Sequence, residues 1–583
     1  MKNILKNSLF TLSLILTLLF TSCETMDLNG LSNDNEIGPN LNDPVYGFNY
    51  VQVYLASFVD NANDITQKLT RQYAMTSGKT YDNAFEPVNS NGTWGTAYSI
   101  LATIKGYEDK AVTNRQYELL GASKIIRAYV MITLVDLFGD VPYTEALLGN
   151  KNLNPKFDKG EDVYKAALLE LDDAILLLDK ANNNADDAFL PYDLYYGTTT
   201  AKKLNKTNWK TLAKTLKFRA YVTARKNGAA LGVNISTELT SLMAGDLIDT
   251  QEEDFTFKYG IDDFTSPLSS RHPDFNNAYI SGRTPPYISN YMLWTMVREK
   301  PKLINNVTND ENLTDPRTLY YFSNQTDDVN KADAVAFPNR FASRPDHFND
   351  PKYASIYRFN RLTPFLYTKT AINSASSPYW GSDHGNNTGR PQDGDKVTVV
   401  GVYPAGGRYG NGTAVQSDAG TKGQKGAGIM PIVLSSYVRF LKAEVQLTIF
   451  SNPLLAKTEM LAGVNASITK SATLFSGLPQ PSVTVVNNYR DFVDNFYTNN
   501  PNKQLEAIMK EYFIASWGNG IETYNNYRRT GFPSNFQPTI ELSSGDYYTT
   551  LFYPSDSQSN NQNKPANLKT RKVFWDVNSP ILN

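Results

Sequence analysis

Apolar residues recur along this chain at the spacing of buried helix faces, and in one stretch they close the full circle. From Ile125 to Phe138 the sequence is apolar nearly all round, interrupted by Arg127, Thr133 and Asp136. The run is shorter than the ~20 apolar residues that cross a bilayer. A helix apolar on every side must therefore be wrapped by other helices. Gly139 offers a left-handed C-terminal cap and Pro142 blocks continuation. The stretch 118–145 predicts the central helix of a helical core, followed by a fixed turn.

Elements on either side follow the same logic. Tyr46 to Met75 has helical spacing, with Asp43-Pro44 as its cap and first turn. Thr76 to Gly92 reads as a loop carrying Tyr81 and Phe85. Trp94 to Glu108 reads as a helix with Trp94, Tyr98 and Leu101 on one face. Phe157 to Asp179 is a further helix, its acidic residues gathered where the helix dipole favours them, and Asn208 to Arg225 another. Successive amphipathic helices with short connections imply stacked pairs of the helical-repeat kind.

After Asp249 the texture changes. Glu252 to Gly260 alternates like a short strand, and Ile261 to Met430 is dominated by Asn, Gly, Pro, Ser and Asp, with helix expected around Ile288 to Glu299. Loops longer than ~15 residues are usually functional or disordered, and the aromatics in these favour ordered, functional ones. Helical spacing returns over Pro431–Ile449, Lys457–Phe475, Val483–Phe496, Lys503–Trp517 and Gly520–Arg529. Phe552-Tyr-Pro554 and Val573-Phe-Trp-Asp576 read as buried aromatic anchors. The expectation is a mainly α chain: a helical block over 46–250, a loop-rich insertion over 251–430, and a helical block with tail over 431–583, closing as one globular domain.

The N-terminus reads as an address. Lys2 and Lys6 precede an apolar run from Ser8 to Phe20, too short to span a membrane, and small residues lead to Cys23. Phe20-Thr-Ser-Cys23 resembles the lipobox of bacterial lipoproteins, with Phe20 where Leu is usual. Residues 1–22 are then a signal peptide, Cys23 the lipidated residue, and 23–45 a solvated tether rich in Asn, Asp and Gly. Each acyl CH2 buried in the bilayer contributes ~0.8 kcal/mol, and more than one chain gives stable anchoring.

Composition removes several classes of function. The 583 residues carry a formal net charge of -2, without the basic stripe of a nucleic-acid binder. A single cysteine and three histidines, His272, His347 and His384, leave no internal disulfide and no Cys/His zinc cluster. Gly401 to Gly428 holds nine glycines but no Gly-Lys-Ser/Thr. Asp393-Gly-Asp395 lacks a full calcium loop, so neither cofactor nor metal is expected. Glycoside hydrolysis needs two carboxylates ~5–10 Å apart. Glu252, Glu253, Asp254, Asp262 and Asp263 read instead as a solvated surface. With 36 Tyr, 29 Phe and 6 Trp, aromatics suffice for the core and for a surface that grips flat, weakly polar ligands.

Some residues invite a role. Arg127, inside an apolar helix, needs partners, and Asp136 and Asp140 are candidates. Arg528 and Arg529 are placed to satisfy carbonyls at a helix end. The loop 379–390 is the most site-like: Tyr379 and Trp380 offer stacking faces, and Asp383, His384, Asn386 and Arg390 offer directional hydrogen bonds. The same loop also reads as a structured turn whose Asp383 and His384 cap neighbouring backbone. Tyr81, Asn89 and Asn91 are candidates to line a groove, while Trp94 reads as core.

Taken in order, the lipobox, Arg127-Ala-Tyr129, Phe138-Gly-Asp-Val-Pro-Tyr143, Phe157-Asp158, Trp209 with Leu216-Lys-Phe-Arg219 and Asp315-Pro-Arg317 resemble the SusD/RagB family. So do Trp380-Gly-Ser-Asp-His-Gly385, Gly401-Val-Tyr-Pro-Ala-Gly-Gly407, Lys442-Ala-Glu444, Tyr527-Arg-Arg-Thr-Gly531 and Trp575-Asp576. The resemblance implies a SusD-like helical scaffold with four tetratricopeptide-like helix pairs. It implies a lipoprotein on the outer face of the outer membrane of Bacteroidetes, partnered with a SusC-like TonB-dependent transporter. It further implies an oligosaccharide ligand, or in some members a peptide, and no enzymatic activity.

Overall fold

The computed structural model describes residues 43–76, 78, 80–181, 192–197, 203–262, 270–280, 283, 285–297, 299–323, 381–382, 384–385, 398–410, 420–537, 539, 545–568 and 571–578. The signal peptide, Cys23 and the tether up to residue 42 lie outside them. The fold described here is that of the unit from Pro44 onward.

The N-terminal block is a series of helices: α1 (Pro44–Leu69), α2 (Asn91–Thr113), α3 (Tyr117–Phe138), α4 (Gly160–Lys180), α5 (Lys206–Thr223) and α6 (Ile235–Met243). They pack as pairs, α1 on α2, α3 on α4 and α5 on α6, each pair also meeting the next through α2–α3 and α4–α5. The predicted central helix is α3, buried around nearly its whole circumference. It stops at Gly139, which takes a φ of +82° with ψ -120°, outside the left-handed helical well that was expected. The following turn is fixed from α4's side. Val141 and Asp158 exchange backbone hydrogen bonds at 3.2 and 3.0 Å, and the Asp158 carboxylate accepts from the amides of Tyr143 and Thr144 at 3.0 and 2.7 Å.

Two boundaries differ from expectation. Helix α1 ends at Leu69 rather than near Met75, because the amides of Gln72 and Tyr73 turn back onto the carbonyl of Gln67 and Arg71 takes a φ of +62°. The predicted loop before Trp94 contains a helical turn, Tyr81–Ala84, and α2 already begins at Asn91.

The insertion contributes β1 (Phe255–Lys258), α7 (Pro273–Tyr279), α8 (Asn290–Val297), a hairpin of β2 (Pro301–Ile304) and β3 (Val307–Asn312), β4 (Phe322–Ser323) and β5 (Val399–Val400). The strand predicted near Glu252 is β1. It pairs antiparallel with β6 (Ile429–Val433), Phe255 facing Val433 and Lys258 facing Ile429. Pro431, expected to open a helix, lies inside β6, so α9 starts at Ser435; in a two-stranded ribbon the missing N–H faces the unpaired edge. The scaffold is mainly helical rather than wholly so, with three two-stranded sheets among the described residues.

Helices α9 (Ser435–Thr448) and α10 (Pro453–Thr473) form the fourth pair, followed by α11 (Val483–Asn499), α12 (Gln504–Ala515) and α13 (Gly520–Thr530). Helix α13 packs on α1, bringing the end of the chain to its start. One continuous apolar cluster runs from Phe48 to Trp575. Tyr553, Val573 and Trp575 are buried in it as the anticipated anchors. Among the described residues no helix is long and apolar enough to cross a membrane.

Buried charges hold the blocks together. Arg127 is paired, but with Glu170 (2.6 Å) on α4 and Glu108 (3.0 Å) on α2, not with Asp136 or Asp140. Asp136 lies on another face of α3, and Asp140 accepts from the Gly160 amide at 2.9 Å. Arg529 pairs with Glu444, which Arg225 also approaches at 2.9 Å; burial opposes the charge of Glu444, yet the two guanidiniums hold its pKa below the usual range. Arg528 donates to the carbonyls of Thr549 (2.8 Å) and Asp136 (2.6 Å). Arg528 thus meets a carbonyl in the last turn of α3 rather than at its own helix end, and Arg529 is satisfied by the Glu444 and Asn526 side chains instead of by carbonyls.

Candidate functional site

A polar cleft of 480 Å³ opens between the C-terminal half of α1, the start of α2, helix α7 and the segment before α8. Its volume lies within the usual range for small-molecule sites. Helix α1 delivers Asp60, Asn61, Asp64 and Lys68 to it; α7 delivers Asp274 and Asn277; Tyr73 and Tyr287 add rings and hydroxyls.

The fold holds these groups from several sides. Tyr73 bridges to Ile288, and the Ala74 amide donates to the Tyr287 carbonyl at 2.8 Å, so both tyrosines ride on one stitched pair of segments. The Tyr73 hydroxyl donates to Asp274 Oδ2 at 2.9 Å. Asp274 in turn is set by α7, whose cap is the Nδ1 of His272 accepting from the Asp274 amide at 3.1 Å. Asn61 is oriented by Thr96 on α2 at 3.1 Å, and Lys68 pairs with Asp64 at 2.7 Å. Asn63 is consumed by structure, donating to the Gly518 carbonyl and accepting from the Gly520 amide, both at 2.9 Å.

Electrostatically the cleft gathers three carboxylates against one lysine. Burial, with the neighbouring charges of Asp274 and Asp64, pushes Asp60 up to about 8. Burial likewise pushes Asp274 up to about 6, partly offset by the Tyr73 hydrogen bond. Burial favours the neutral form of Asp60, which donates as well as accepts. The arrangement offers hydrogen-bond acceptors, amide and carboxyl donors, and the partly exposed phenol ring of Tyr287. Among the described residues no group of three or more His, Cys, Asp or Glu could hold a metal ion.

Of the residues singled out from sequence, Asn89 lines this cleft, and Asn91 stands close by at the start of α2. The Asn91 side chain exchanges hydrogen bonds with Ser555 at 3.0 and 3.2 Å, tying α2 to the C-terminal tail. Tyr81 and His384 are interior residues, their rings 6.0 Å apart in an aromatic cluster with Phe85, Tyr547 and Tyr548. The Tyr81 hydroxyl accepts from Arg71 at 2.8 Å. His384 Nδ1 accepts from the Met75 amide at 3.3 Å, and burial, then the Arg71 charge, keep the imidazole neutral. Both side chains are sealed in the core rather than open to a ligand: for His384 this is the structured-turn alternative, and for Tyr81 a correction of the groove-lining expectation. Tyr379, Trp380, Asp383, Asn386 and Arg390 lie outside the described residues. Gly381 and Ser382, next in the chain, are held against Ile288 and Asn290, beside Tyr287.

Sequence reasoning missed Asp60, Asp64, Asp274 and Tyr287. One signal was present: Asp60-Asn-Ala-Asn-Asp64 interrupts the apolar spacing of α1 with four polar residues in five. The glycine-rich run is also explained. Gly401 lies where a Cβ would come within 2.3 Å of the Tyr320 carbonyl, so close backbone packing, not phosphate binding, requires it.

Stacked helix pairs that present a polar cleft define a helical-repeat scaffold. Residues 40–358 match a family described as starch-binding and associating with the outer membrane, and residues 432–572 match Susd and RagB outer membrane lipoproteins. The chain belongs to the SusD/RagB family. Its fold is similar to that of a chitin-binding SusD homolog from Flavobacterium johnsoniae (16% identity, TM-score 0.60, covering 92% of this chain and 100% of that one). It is likewise similar to a Bacteroidetes SusD-like protein (17%, 0.61, 92% and 100%) and a SusD homolog from Bacteroides fragilis (15%, 0.59, 91% and 99%). Comparison with curated proteins gives no match.

Proposed function

We propose that this chain is a lipid-anchored protein of the outer cell surface that captures oligosaccharides in the polar cleft and passes them to a SusC-like TonB-dependent transporter. The observation that carries the reading is the cleft's chemistry: carboxyl and amide groups for hydroxyls beside the partly exposed Tyr287 ring for the apolar face of a sugar. The fold shared with a chitin-binding homolog supports it. Tyr379, Trp380, Asp383, Asn386 and Arg390, which lie outside the described residues, keep the ligand-contacting role that the sequence suggests for them. Capture and release call for moderate affinity and no bond cleavage, so Asp60 and Asp274 serve as hydrogen-bonding groups rather than as an acid and base.

The test is calorimetric titration of the mature chain with maltooligosaccharides, chitooligosaccharides and, as a control class, short peptides, each followed by product analysis. Saccharide binding without products, weakened in Tyr287→Ala, is expected. Peptide binding alone would transfer the cleft to the peptide-binding branch of the family. Turnover lost in Asp60→Asn would make the protein a hydrolase and end the proposal.

A further inference from the structure

A second cleft, also 480 Å³, lies between the β2–β3 hairpin and helices α11 and α12, and shares no lining residue with the first. One wall is apolar. Phe492 and Phe496, one turn apart on α11, stack with centroids 6.3 Å apart and planes 21° from parallel, and both are only partly buried. Leu303, Val493 and Ala507 continue this wall.

The rest of the lining is polar. Asn495, Asn499, Asn500 and Asn535 supply amides. Glu299, Glu506 and Glu511 are matched by Lys300, Lys503 and Lys510, three carboxylates to three ammoniums, so the lining carries no net charge. The pairing is partly fixed in the floor, with Lys510 to Glu299 and Lys300 to Glu511 both at 2.7 Å. Glu299 Oε1 also accepts from Asn535 at 2.8 Å. Its Oε2 is buried and has no hydrogen-bond partner among the described residues. A buried acceptor left unmade costs about 1–3 kcal/mol, and a donor brought by a ligand removes that cost.

We infer that this cleft is a second saccharide-binding site, taking a neutral sugar unit whose C–H face rests on Phe492 and Phe496 and whose hydroxyl donates to Glu299 Oε2. The balanced charge selects against phosphate and against a cationic ligand, since either would enter without a counter-charge. The flat aromatic pair selects against a ligand made of hydroxyls alone. This site rests on the reading of the protein as a saccharide binder, and two sites on one chain would hold a long oligomer by avidity.

The experiment titrates the mature chain separately with maltotetraose and chitotetraose. It compares the unaltered protein with Asn499→Trp, which fills the cleft from its exposed rim, Glu299→Gln, and Tyr287→Ala in the first cleft. Circular dichroism verifies each fold. Two equivalents per chain are expected. Asn499→Trp abolishes one, Glu299→Gln weakens that same one ~10-fold, and Tyr287→Ala removes the other. One equivalent, lost in Tyr287→Ala and unaffected by Asn499→Trp, would overturn the second site while leaving the proposed function intact. One equivalent lost only in Asn499→Trp would support this site and displace the first. No binding of either sugar by the unaltered chain would overturn both.

Discussion

The indole N–H of Trp575 donates to Asp136 Oδ1 at 3.0 Å, joining the C-terminal tail to the last turn of the central helix. Tyr164 on α4 donates to the same oxygen, and Asn525 on α13 donates to Oδ2 at 2.8 Å. The Arg219 guanidinium stands 3.8 Å away. A single buried carboxylate thus collects hydrogen bonds from two helices and the tail, with a guanidinium of a third helix nearby. Arg219 keeps its pair with Glu522 at 2.5 Å, but replacing Asp136 leaves the buried Tyr164, Trp575 and Asn525 donors without their acceptor, and an unsatisfied buried donor costs about 1–3 kcal/mol. Asp136→Ala is expected to lower the urea-unfolding free energy by that amount and to expose Trp575, read as a red shift in its fluorescence.

Closure of the chain depends on the approach of α13 to α1. A Cβ on Gly520 would stand 2.5 Å from both the Gln67 amide nitrogen and Thr66 Oγ1. The helix has no room to retreat, because the Gly520 amide is bonded to Asn63 and Thr523 to Thr70 at 2.8 Å. Gly520→Ala is expected to cost about 1–3 kcal/mol, the usual range for overpacking a core, measured as a shift of the denaturation midpoint. An unchanged midpoint would mean that α13 does not sit this tightly.

Helix positions were legible because periodicity is local. The Ser482 and Asn452 side chains cap α11 and α10, and the apolar faces of α1, α4 and α9 can be read from their own residues. Partners were not legible. Asp136 and Asp140 were the acids nearest Arg127 on its own helix or turn, yet the side chain is satisfied by α2 and α4, whose facing surfaces no spacing rule specifies. The cleft was opaque for the same reason: Asp60, Tyr73, Asp274 and Tyr287 come from four separated stretches that meet only after α1, α7 and the 285–288 segment have docked. A buried histidine such as His384 reads like a ligand group in sequence, because only the fold shows that the Met75 amide is waiting for its Nδ1.

The partly buried Arg127 triad behaves differently from Asp136. Its guanidinium meets Glu108 through two nitrogens, both at 3.0 Å, and Glu170 through Nε at 2.6 Å. That fork geometry is one a lysine cannot reproduce. With all three side chains retaining some solvent access, Arg127→Ala is expected to cost about 1–3 kcal/mol. Arg127→Lys should recover less than half of it, because an ammonium cannot reproduce the fork that meets Glu108 through two nitrogens and Glu170 through a third. Denaturant titration of the two variants side by side checks this, and full rescue by lysine would reduce the triad to simple charge neutralisation.

The raised carboxyls of the polar cleft give stability a pH dependence of definite sign. An unfolded aspartate releases its proton near pH ~3.9, whereas Asp60 in the fold keeps it up to about 8 and Asp274 up to about 6. Between those limits the folded state binds more protons than the unfolded one, so their contribution falls as pH rises. Buried His272, pushed down to about 3 by burial, acts in the opposite sense, since it must stay neutral while the unfolded imidazole protonates below pH ~6.5. Asp60→Asn leaves His272 in place and removes the Asp60 term, so the difference between the two proteins isolates the carboxyl. Asp64, Asp274 and Lys68 are the charged groups that face it, and all three remain in the variant. The unaltered protein is expected to lose stability relative to Asp60→Asn steadily from about pH 5 to about pH 8, measured as the gap between their urea midpoints. Parallel midpoints across that window would mean that Asp60 is already ionised in the folded cleft, and that it meets a ligand as an acceptor alone.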